Sequence, residues 1–284
     1  RGLEAMYDAE NMPGKYQEAS VAWGLNEDET TRAIRTQIKE YANHHDTFFL
    51  TYIPAAPHNP FDGVPDRFQK YKLKQMGDYT PLYLNDLLYM DSCIVSILDQ
   101  LKASGVLDNT LVIITDDHGE MLGENGGPIG HGWSARPELT NIPLIIMDPD
   151  NPGYRVNNTR GSQVDLLPTI LDLLGMRLPE DQLYQGISLY SPAAQGKRMI
   201  YINSLQQYGI VDGDRYFCGT RETQAGVAVD DFAFKTYSIT NSDARTRFTL
   251  LPASDVSTPS IDQFDDFQES FLKNYSEYCQ LIRN

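Results

Sequence analysis

Residues 111–147, LVIITDDHGEMLGENGGPIGHGWSARPELTNIPLIIM, form the centre of the predicted fold. The apolar, β-branched run at residues 111–114 predicts a short buried strand, and the run that ends at Met147 predicts a second. Between them lies a polar loop, in which Asp116, Asp117 and His118 directly follow the first strand. The pattern therefore places carboxylates and an imidazole at the end of a strand.

The Asp117-His118 pair is a candidate metal site. Ligands of open parallel sheets bind at the carboxyl ends of the strands, and carboxylate oxygen beside imidazole nitrogen suits Zn, Mn, Mg or Ca. An alternative interpretation is that the aspartate only forms a turn or caps a helix. The same loop also contains His131 and Trp133. Four glycines make it pliable enough to approach a ligand: Gly126, Gly127, Gly130 and Gly132.

Composition limits the class of protein. The chain has 284 residues and 41% hydrophobic content, which suits one large α/β domain or two small ones. Its net charge of −16 disfavours nucleic acid and anionic membrane surfaces as partners. An anionic substrate would therefore need a local positive centre, which a bound cation would supply. The three cysteines are widely spaced and indicate neither a disulfide framework nor a CxxC metal site.

The first 60 residues predict a helix, a strand and a histidine. Acidic residues and helical apolar spacing favour a helix from about residue 27 to 43. Residues 48–53 predict a second buried strand, which runs into the proline-rich segment that contains His58. Because prolines flank it, His58 is expected in an extended segment. It is either a site residue or a loop histidine bonded to backbone.

A long helix is predicted at about residues 81–103. Its predicted apolar face carries leucines and one acid, Asp91, which we expect to be a buried structural carboxyl. Further along, a helix is predicted at residues 163–174, a hairpin at 197–218, weak strands at 232–251 and a terminal helix at 261–282.

These elements indicate an α/β fold. Buried strands alternate with helices in the first two thirds, which favours a mostly parallel sheet flanked by helices. We expect an α/β domain over residues 1–195 and a small α+β subdomain with hairpins and a terminal helix over residues 196–284.

Several segments in order resemble the sulfatase branch of the alkaline phosphatase superfamily: PAAPHNPF, YLNDLLYMDSCIVSILDQLKASGVLDNTLVIITDDHGE, GHGWSARPELTNIPLII and QVDLLPTILDLLG. The resemblance covers roughly residues 20–175. The segment AWGLNEDE around Trp23 is similar to the phosphoglycerol transferases, of the lipoteichoic-acid-synthase type, in the same branch. The resemblance implies an alkaline-phosphatase-like fold.

The resemblance assigns roles to individual residues. Asp117 and His118 would bind one divalent metal ion (Mn, Ca, Mg or Zn), because Val95 stands where two-metal members carry a histidine four residues after the acid. His131 would contact the anionic group or the leaving-group oxygen. His58 would bind the anion and could act as a general acid.

Two more residues are candidate substrate contacts. Arg136 lies near the position of a lysine in many sulfatases, where a guanidinium would bind the anion as a fork. Trp23 is the candidate in the transferase-like segment.

The sequence departs from the family in one respect. Residues 1–57 contain nothing similar to the family's nucleophile pattern or its early acidic metal ligand. We therefore expect this chain to be the C-terminal two thirds of a longer enzyme, with the upstream part of the same protein as its partner. An alternative is a catalytically inactive anion-binding module.

The function implied for the complete enzyme is attack by an oxygen nucleophile on sulfur or phosphorus, through a covalent intermediate. With water as second acceptor this is a metal-dependent hydrolase of sulfate or phosphate esters. With a lipid or glycan hydroxyl it is a phosphoglycerol or phosphoethanolamine transferase of the cell envelope. The family implies an extracytoplasmic location, periplasmic or membrane-anchored in the full-length protein.

Overall fold

The computed structural model describes residues 4–8, 10–12, 20–21, 24–73, 77–123, 129–177, 186–196, 198–205, 207–219, 235–242 and 245–252. They form two compact units. The helical unit comprises residues 1–113, 122–130 and 146–152, and the sheet unit comprises residues 114–121, 131–145 and 153–284. Trp23 and the predicted terminal helix at 261–282 lie outside the described residues. The expected boundary at residue 195 stays a prediction.

The first helix confirms the prediction from charge and spacing. Strands β1 (Ser20–Val21) and β2 (Gly24–Leu25) pair antiparallel, and helix α1 (Glu27–His44) follows. The side chain of Asn26 caps α1 by accepting from the backbone N–H of Glu29 at 3.1 Å. The helix ends at His45, whose φ of 57° is left-handed.

Helix α2 (Thr80–Ala103) packs against α1, but it buries a different face from the one predicted. Two leucines of the predicted stripe, Leu84 and Leu87, are exposed, as is Asp91, so the expectation of a buried Asp91 is wrong. The buried residues of α2 are Asn85, Asp86, Tyr89, Met90, Cys93 and Leu101. Two polar members of this face, Asn85 and Tyr89, are held by backbone partners. Asn85 bonds both ways with the backbone of Tyr71 at 2.9 Å, and the N–H of Asp28 donates to Tyr89 Oη at 2.6 Å.

Residues 48–53 have no strand partner within the described residues, so the predicted strand is wrong there. The alternation of a strand persists, with Phe49 and Ile53 exposed and Tyr52 half-buried. The extended segment expected around His58 is also wrong. The N–H of His58 donates to the carbonyl of Ala55, and that of Phe61 donates to the carbonyl of His58, so this segment is two successive turns.

The strands that flank the polar loop are β3 (Val112–Thr115) and β6 (Leu144–Met147), which pair in a two-stranded sheet. Strands β4 (Met121–Leu122) and β5 (Ile129–Gly130) form another, and helix α3 is Pro137–Thr140. Both predicted strands are therefore present. They are less buried than expected: β3 is half-buried and β6 is mostly exposed. The reason is that their sheet has only two strands in the described part of the chain.

The last third begins with helix α4 (Leu166–Leu173), preceded by a 3-10 helix at Gln163–Asp165, and with the short helix α5 (Pro192–Gln195). A five-stranded antiparallel sheet follows, in the order β11-β10-β9-β8-β7. Its strands are β7 (Met199–Asn203), β8 (Tyr208–Asp212), β9 (Arg215–Gly219), β10 (Lys235–Ser242) and β11 (Arg245–Leu250). The predicted helix, hairpin and weak strands are confirmed.

The core of the sheet unit includes a residue of the polar loop. Ala135, fully buried, packs in one cluster with Ile200, Val211, Tyr216 and other apolar residues of the five-stranded sheet. The loop that carries His131 is therefore built onto this sheet. Among the described helices, none combines the length and apolar character needed to cross a membrane.

Candidate active site

The loop after β3 presents Asp117 and His118 to solvent. The side chain of Asp117 is 83% exposed, and its Oδ1 accepts the N–H of His118 at 2.9 Å. Its other oxygen lies 3.5 Å from His118 Nε2. The Nδ1 atom of His118 contacts the carbonyl of Gly119 at 2.8 Å. Since Nδ1–H donates to that carbonyl, Nε2 is the ring nitrogen that faces the Asp117 carboxylate.

Gly119 allows this loop to approach the start of α3. A Cβ at this position would lie 2.2 Å from the carbonyl oxygen of Glu138. The N–H of Gly119 donates to the carbonyl of Leu139 at 2.8 Å. Only glycine therefore fits between the metal-candidate loop and the α3 backbone.

Glu120 and His131 form a close pair beside His118. Glu120 Oε2 lies 2.6 Å from His131 Nδ1, and the Glu120 side chain is only 7% exposed. The ring of His131 lies against that of His118, with centroids 4.1 Å apart. Glu120 immediately precedes β4 and His131 immediately follows β5, so the pairing of these two strands brings the residues together.

The donor set of His118, Glu120 and His131 fits a divalent cation. Each residue offers one ligand atom, and these atoms lie within 4.8 Å of one another. Glu120 Oε1 is buried and has no hydrogen-bond partner among the described residues. A buried carboxylate oxygen without a donor calls for an ion or water. Two imidazoles and a carboxylate suit Zn or Mn, with Asp117 as a further oxygen donor at hand.

Asp116 precedes this pair and is exposed as well. Partial burial raises the pKa of its carboxyl, the charge of Asp117 raises it further, and His118 opposes the shift.

The His131 loop is held by Gln207, a residue that directly precedes β8. Gln207 Oε1 accepts from the Ser134 hydroxyl at 2.7 Å and from the Ala135 N–H at 3.0 Å. The Leu205 N–H donates to the Gly132 carbonyl at 2.9 Å. Gln207 is 4% exposed and Ser134 7%, so this anchor is shielded from water.

Arg136, a candidate anion ligand, lies in this loop but is engaged within the protein. Its side chain is 11% exposed, and Nη2 donates to Glu138 Oε1 at 3.0 Å. Its Nε atom is buried without a partner among the described residues. Anion binding by Arg136 stays a prediction. An anion would have to compete with the Glu138 carboxylate for the Arg136 guanidinium.

His58 belongs to the helical unit. Its Nδ1 contacts the carbonyl of Asn59 at 2.6 Å. It lines a small pocket whose other residues include Glu27, Asp62 and Tyr89. Glu27, 1% exposed, holds the turn by accepting the N–H groups of Ala55 and Ala56 at 2.7 and 2.9 Å. The roles predicted for His58 and Trp23 stay predictions.

A family model described as Sulfatase matches residues 1–176, more than half of the chain. This chain belongs to the sulfatase family. Members of the family generally use a divalent metal ion, which agrees with the donor set beside His118. The resemblance inferred from the motifs is therefore confirmed.

Two curated relatives illustrate the likeness of this sulfatase-family chain. The low-salt glycan biosynthesis sulfotransferase Agl7 of Haloferax volcanii is 29% identical over 159 residues, which is 54% of this chain and 38% of Agl7. The N-acetylglucosamine-6-O-sulfatase of Bacteroides thetaiotaomicron is 36% identical over 114 residues, 38% of this chain and 19% of that enzyme. The chain thus spans well under half the length of these relatives.

Similarity to a solved structure confirms the α/β, alkaline-phosphatase-like fold. The lipoteichoic acid synthase LtaP of Listeria monocytogenes has a TM-score of 0.58 at 17% identity, covering 78% of this chain and 54% of LtaP. At that identity the likeness concerns the fold.

Two residues of this sulfatase-family site were not among the predicted ligands. Glu120 stands two residues after His118, and a third acidic side chain in the DDHGE run is the signal that could have found it. Gln163, whose amide donates to the carbonyls of Asp116 and Asp117 at 3.3 and 2.5 Å, lies 46 residues from Asp117, and no sequence signal links the two.

Proposed function

We propose that this chain carries the metal- and leaving-group-binding residues of a sulfatase-family hydrolase that acts on sulfate esters. The observation that carries the proposal is the Glu120–His131 pair stacked on His118, beside the exposed carboxylate of Asp117. Family membership and the sulfatases among its relatives support the reaction class. Phosphate esters are the second substrate class.

Asp117 and His118 would hold the metal ion. The carboxylate is exposed, and the contact of Nδ1 with Gly119 orients Nε2 of His118 as the ligand atom. The ion would supply a positive centre for the anionic ester in a chain whose net charge is −16. Mn, Ca, Mg and Zn are all consistent with an oxygen and an imidazole ligand.

His131 would donate the proton to the leaving-group oxygen. Its Nδ1–H donates to Glu120, which fixes the tilt of the ring and leaves Nε2 as the atom that can give a proton elsewhere. Glu120 is itself shielded from water, so its charge acts on His131 with little screening. The two residues together thus form a general acid and the group that orients it.

The remaining expectations stay predictions. They are anion binding by His58 and Arg136, a substrate contact by Trp23, a nucleophile supplied from upstream of these residues, and an extracytoplasmic location. None of them is needed for the metal and proton-donor roles above.

The experiment compares variants of the full-length protein, with the upstream part that we propose supplies the nucleophile, in the hydrolysis of 4-nitrophenyl sulfate and 4-nitrophenyl phosphate with Mn²⁺ present. We expect the sulfate to be hydrolysed faster. His131→Ala and His118→Ala should each lower kcat/KM by at least about 100-fold, because one removes the proton donor and the other a metal ligand. His44→Ala, at an exposed histidine in the last turn of α1, is the matched control.

Absence of sulfate hydrolysis by the wild-type protein would overturn the proposal, as would unchanged rates in His131→Ala. The transferase alternative rests on the fold shared with LtaP. It predicts a different product: a phosphoglycerol group moved to an added alcohol acceptor, with no free inorganic sulfate formed from sulfate esters.

A further inference from the structure

Among the described residues outside the loop, Gln163 bonds to the backbone of a proposed metal ligand, Asp117. It is the first residue of the 3-10 helix before α4. Its amide nitrogen donates to the carbonyl of Asp117 at 2.5 Å and to that of Asp116 at 3.3 Å. One side chain thus contacts two successive peptide groups.

These two peptide groups determine where the ligand side chains start. A peptide unit is planar, so the Asp117 carbonyl lies in one plane with the N–H and Cα of His118. The Asp116 carbonyl fixes the plane before it. The Cα of Asp117 lies where the two planes meet, and the Cα of His118 lies at the end of the second. Holding both carbonyls therefore sets the directions in which both ligand side chains leave the backbone.

The turn that carries Gln163 is itself rigidly held. Ser162 and Asp165 form a capping box, in which the Ser162 N–H donates to Asp165 Oδ2 at 2.7 Å. Asp165 is fully buried, and its Oδ1 accepts from the Ile187 N–H and from Arg198 Nη2, both at 3.0 Å. Gly186 approaches so closely that a Cβ there would lie 2.2 Å from the Val164 carbonyl.

The opposite side of the loop is also fixed, by Gly119 against the α3 backbone. The loop between these two contacts is exposed, and among the described residues the Asp117 side chain has no hydrogen-bond or ion-pair partner other than His118. Gln163 is therefore the contact that distinguishes one backbone arrangement of the loop from others.

We propose that Gln163 is a positioning residue for the metal site: its amide holds the Asp117–His118 peptide so that the carboxylate and Nε2 of the imidazole face one cation. This inference rests on the proposed function. The amide oxygen of Gln163 is not among the proposed ligands. We therefore expect Gln163 to act on metal affinity through the backbone.

The test is the affinity of the full chain for Mn²⁺, measured by isothermal titration calorimetry and by electron paramagnetic resonance of the bound ion. Gln163→Met keeps the length of the side chain and removes the donor. We expect it to weaken Mn²⁺ binding by about 10- to 100-fold, the usual effect of losing a group that orients a ligand, and to change the resonance spectrum of the ion that remains bound.

Gln195→Met is the matched control, because Gln195 also donates its amide to a backbone carbonyl, that of Leu189, at 3.3 Å. It should bind Mn²⁺ within about twofold of the wild type, and both variants should keep the wild-type Tm within a few degrees. A loss of stability shared by both variants with equal Mn²⁺ affinity would show a merely structural role and overturn the inference.

Two outcomes separate this inference from the proposed function. If the wild type binds one Mn²⁺, His118→Ala abolishes it and Gln163→Met binds like the wild type, the positioning role is wrong and the metal site stands. If His118→Ala binds Mn²⁺ as the wild type does, the proposed site itself is wrong, and the role of Gln163 falls with it.

Discussion

The turn that carries His58 and the loop that carries His131 are each held by one buried side chain from elsewhere in their own unit, but the two anchors differ in chemistry. Glu27 holds the His58 turn with a carboxylate that accepts from two backbone N–H groups and from the hydroxyls of Tyr52 and Thr30. Gln207 holds the His131 loop with an amide oxygen that accepts from two groups. Hydrogen bonds to a charged acceptor are stronger, and more donors depend on Glu27.

Burial alone does not determine whether an acidic side chain stabilises this fold. Asp86 of α2 is as buried as Glu27, yet both of its carboxylate oxygens lack a hydrogen-bond partner among the described residues. Burial, and then the charges of Asp62 and Glu27, raise the pKa of Asp86 to about 7. The same helical unit thus contains Glu27, whose carboxylate accepts from four donors, and Asp86, whose carboxylate accepts from none of the described residues.

The largest effect is expected for Glu27→Ala. It leaves four donors without their acceptor, and we expect it to lower the free energy of unfolding of the helical unit by about 4 kcal/mol. Urea denaturation followed by circular dichroism measures the loss, and amide exchange at Ala55 and Ala56 should accelerate. Glu29→Ala, two residues further along α1, is the control and should cost less than about 1 kcal/mol. Equal losses in both variants would contradict the role of Glu27.

Asp86→Asn should have the opposite sign, and its effect should depend on pH. The folded state keeps a proton on Asp86 up to about pH 7, whereas the unfolded chain releases it near pH 4, so stability falls as pH rises between these values. Asparagine removes this loss. The variant should gain about 3 kcal/mol over the wild type at pH 8 and much less at pH 4.

Denaturation of Asp86→Asn and the wild type across pH 4 to 8 checks this sign. Asp99→Asn, on an exposed position of the same helix, is the control. A difference between Asp86→Asn and the wild type that does not grow with pH would show that Asp86 is charged in the fold and has a partner.

The smallest of the three effects is expected for Gln207→Met. It leaves the Ser134 hydroxyl and the Ala135 N–H without an acceptor, which should cost about 2 kcal/mol. Because these groups belong to the His131 loop, sulfate ester hydrolysis should fall as well. Gln69→Met, which removes an exposed amide bonded to the Val64 carbonyl, should change neither. Wild-type stability in Gln207→Met would show that the loop is held by its apolar contacts alone.

These anchors mark the limit of what the sequence predicts. Local patterns predicted α1, α2, β3, β6, α4 and the hairpin, because capping residues, turn residues and apolar runs act over a few positions. The wrong face of α2 has a physical reason: hydrophobic periodicity selects the leucines, while Asn85 and Tyr89 are buried because backbone groups distant in sequence pair with them. The strand expected at residues 48–53 has the right alternation, but a strand also needs a neighbour.

The site divides in the same way. Asp117 and His118 are identified by their position after a strand, and His131 by its glycine-rich loop. The DDHGE run offers Glu120 as a candidate, but its pairing with His131 across 11 residues and the contact of Gln163 with Asp117 across 46 residues are encoded by no short motif. Arg136 shows the converse, since a suitable residue at a family position is paired internally with Glu138.

The most direct test of the central claim is the metal content of the purified full chain, measured by inductively coupled plasma mass spectrometry after equilibration with Mn²⁺ and removal of free ions. We predict one equivalent of metal in the wild type and in His44→Ala, and none in Asp117→Ala or His118→Ala. A wild-type protein without metal, or a His118→Ala variant that retains one equivalent, would contradict it.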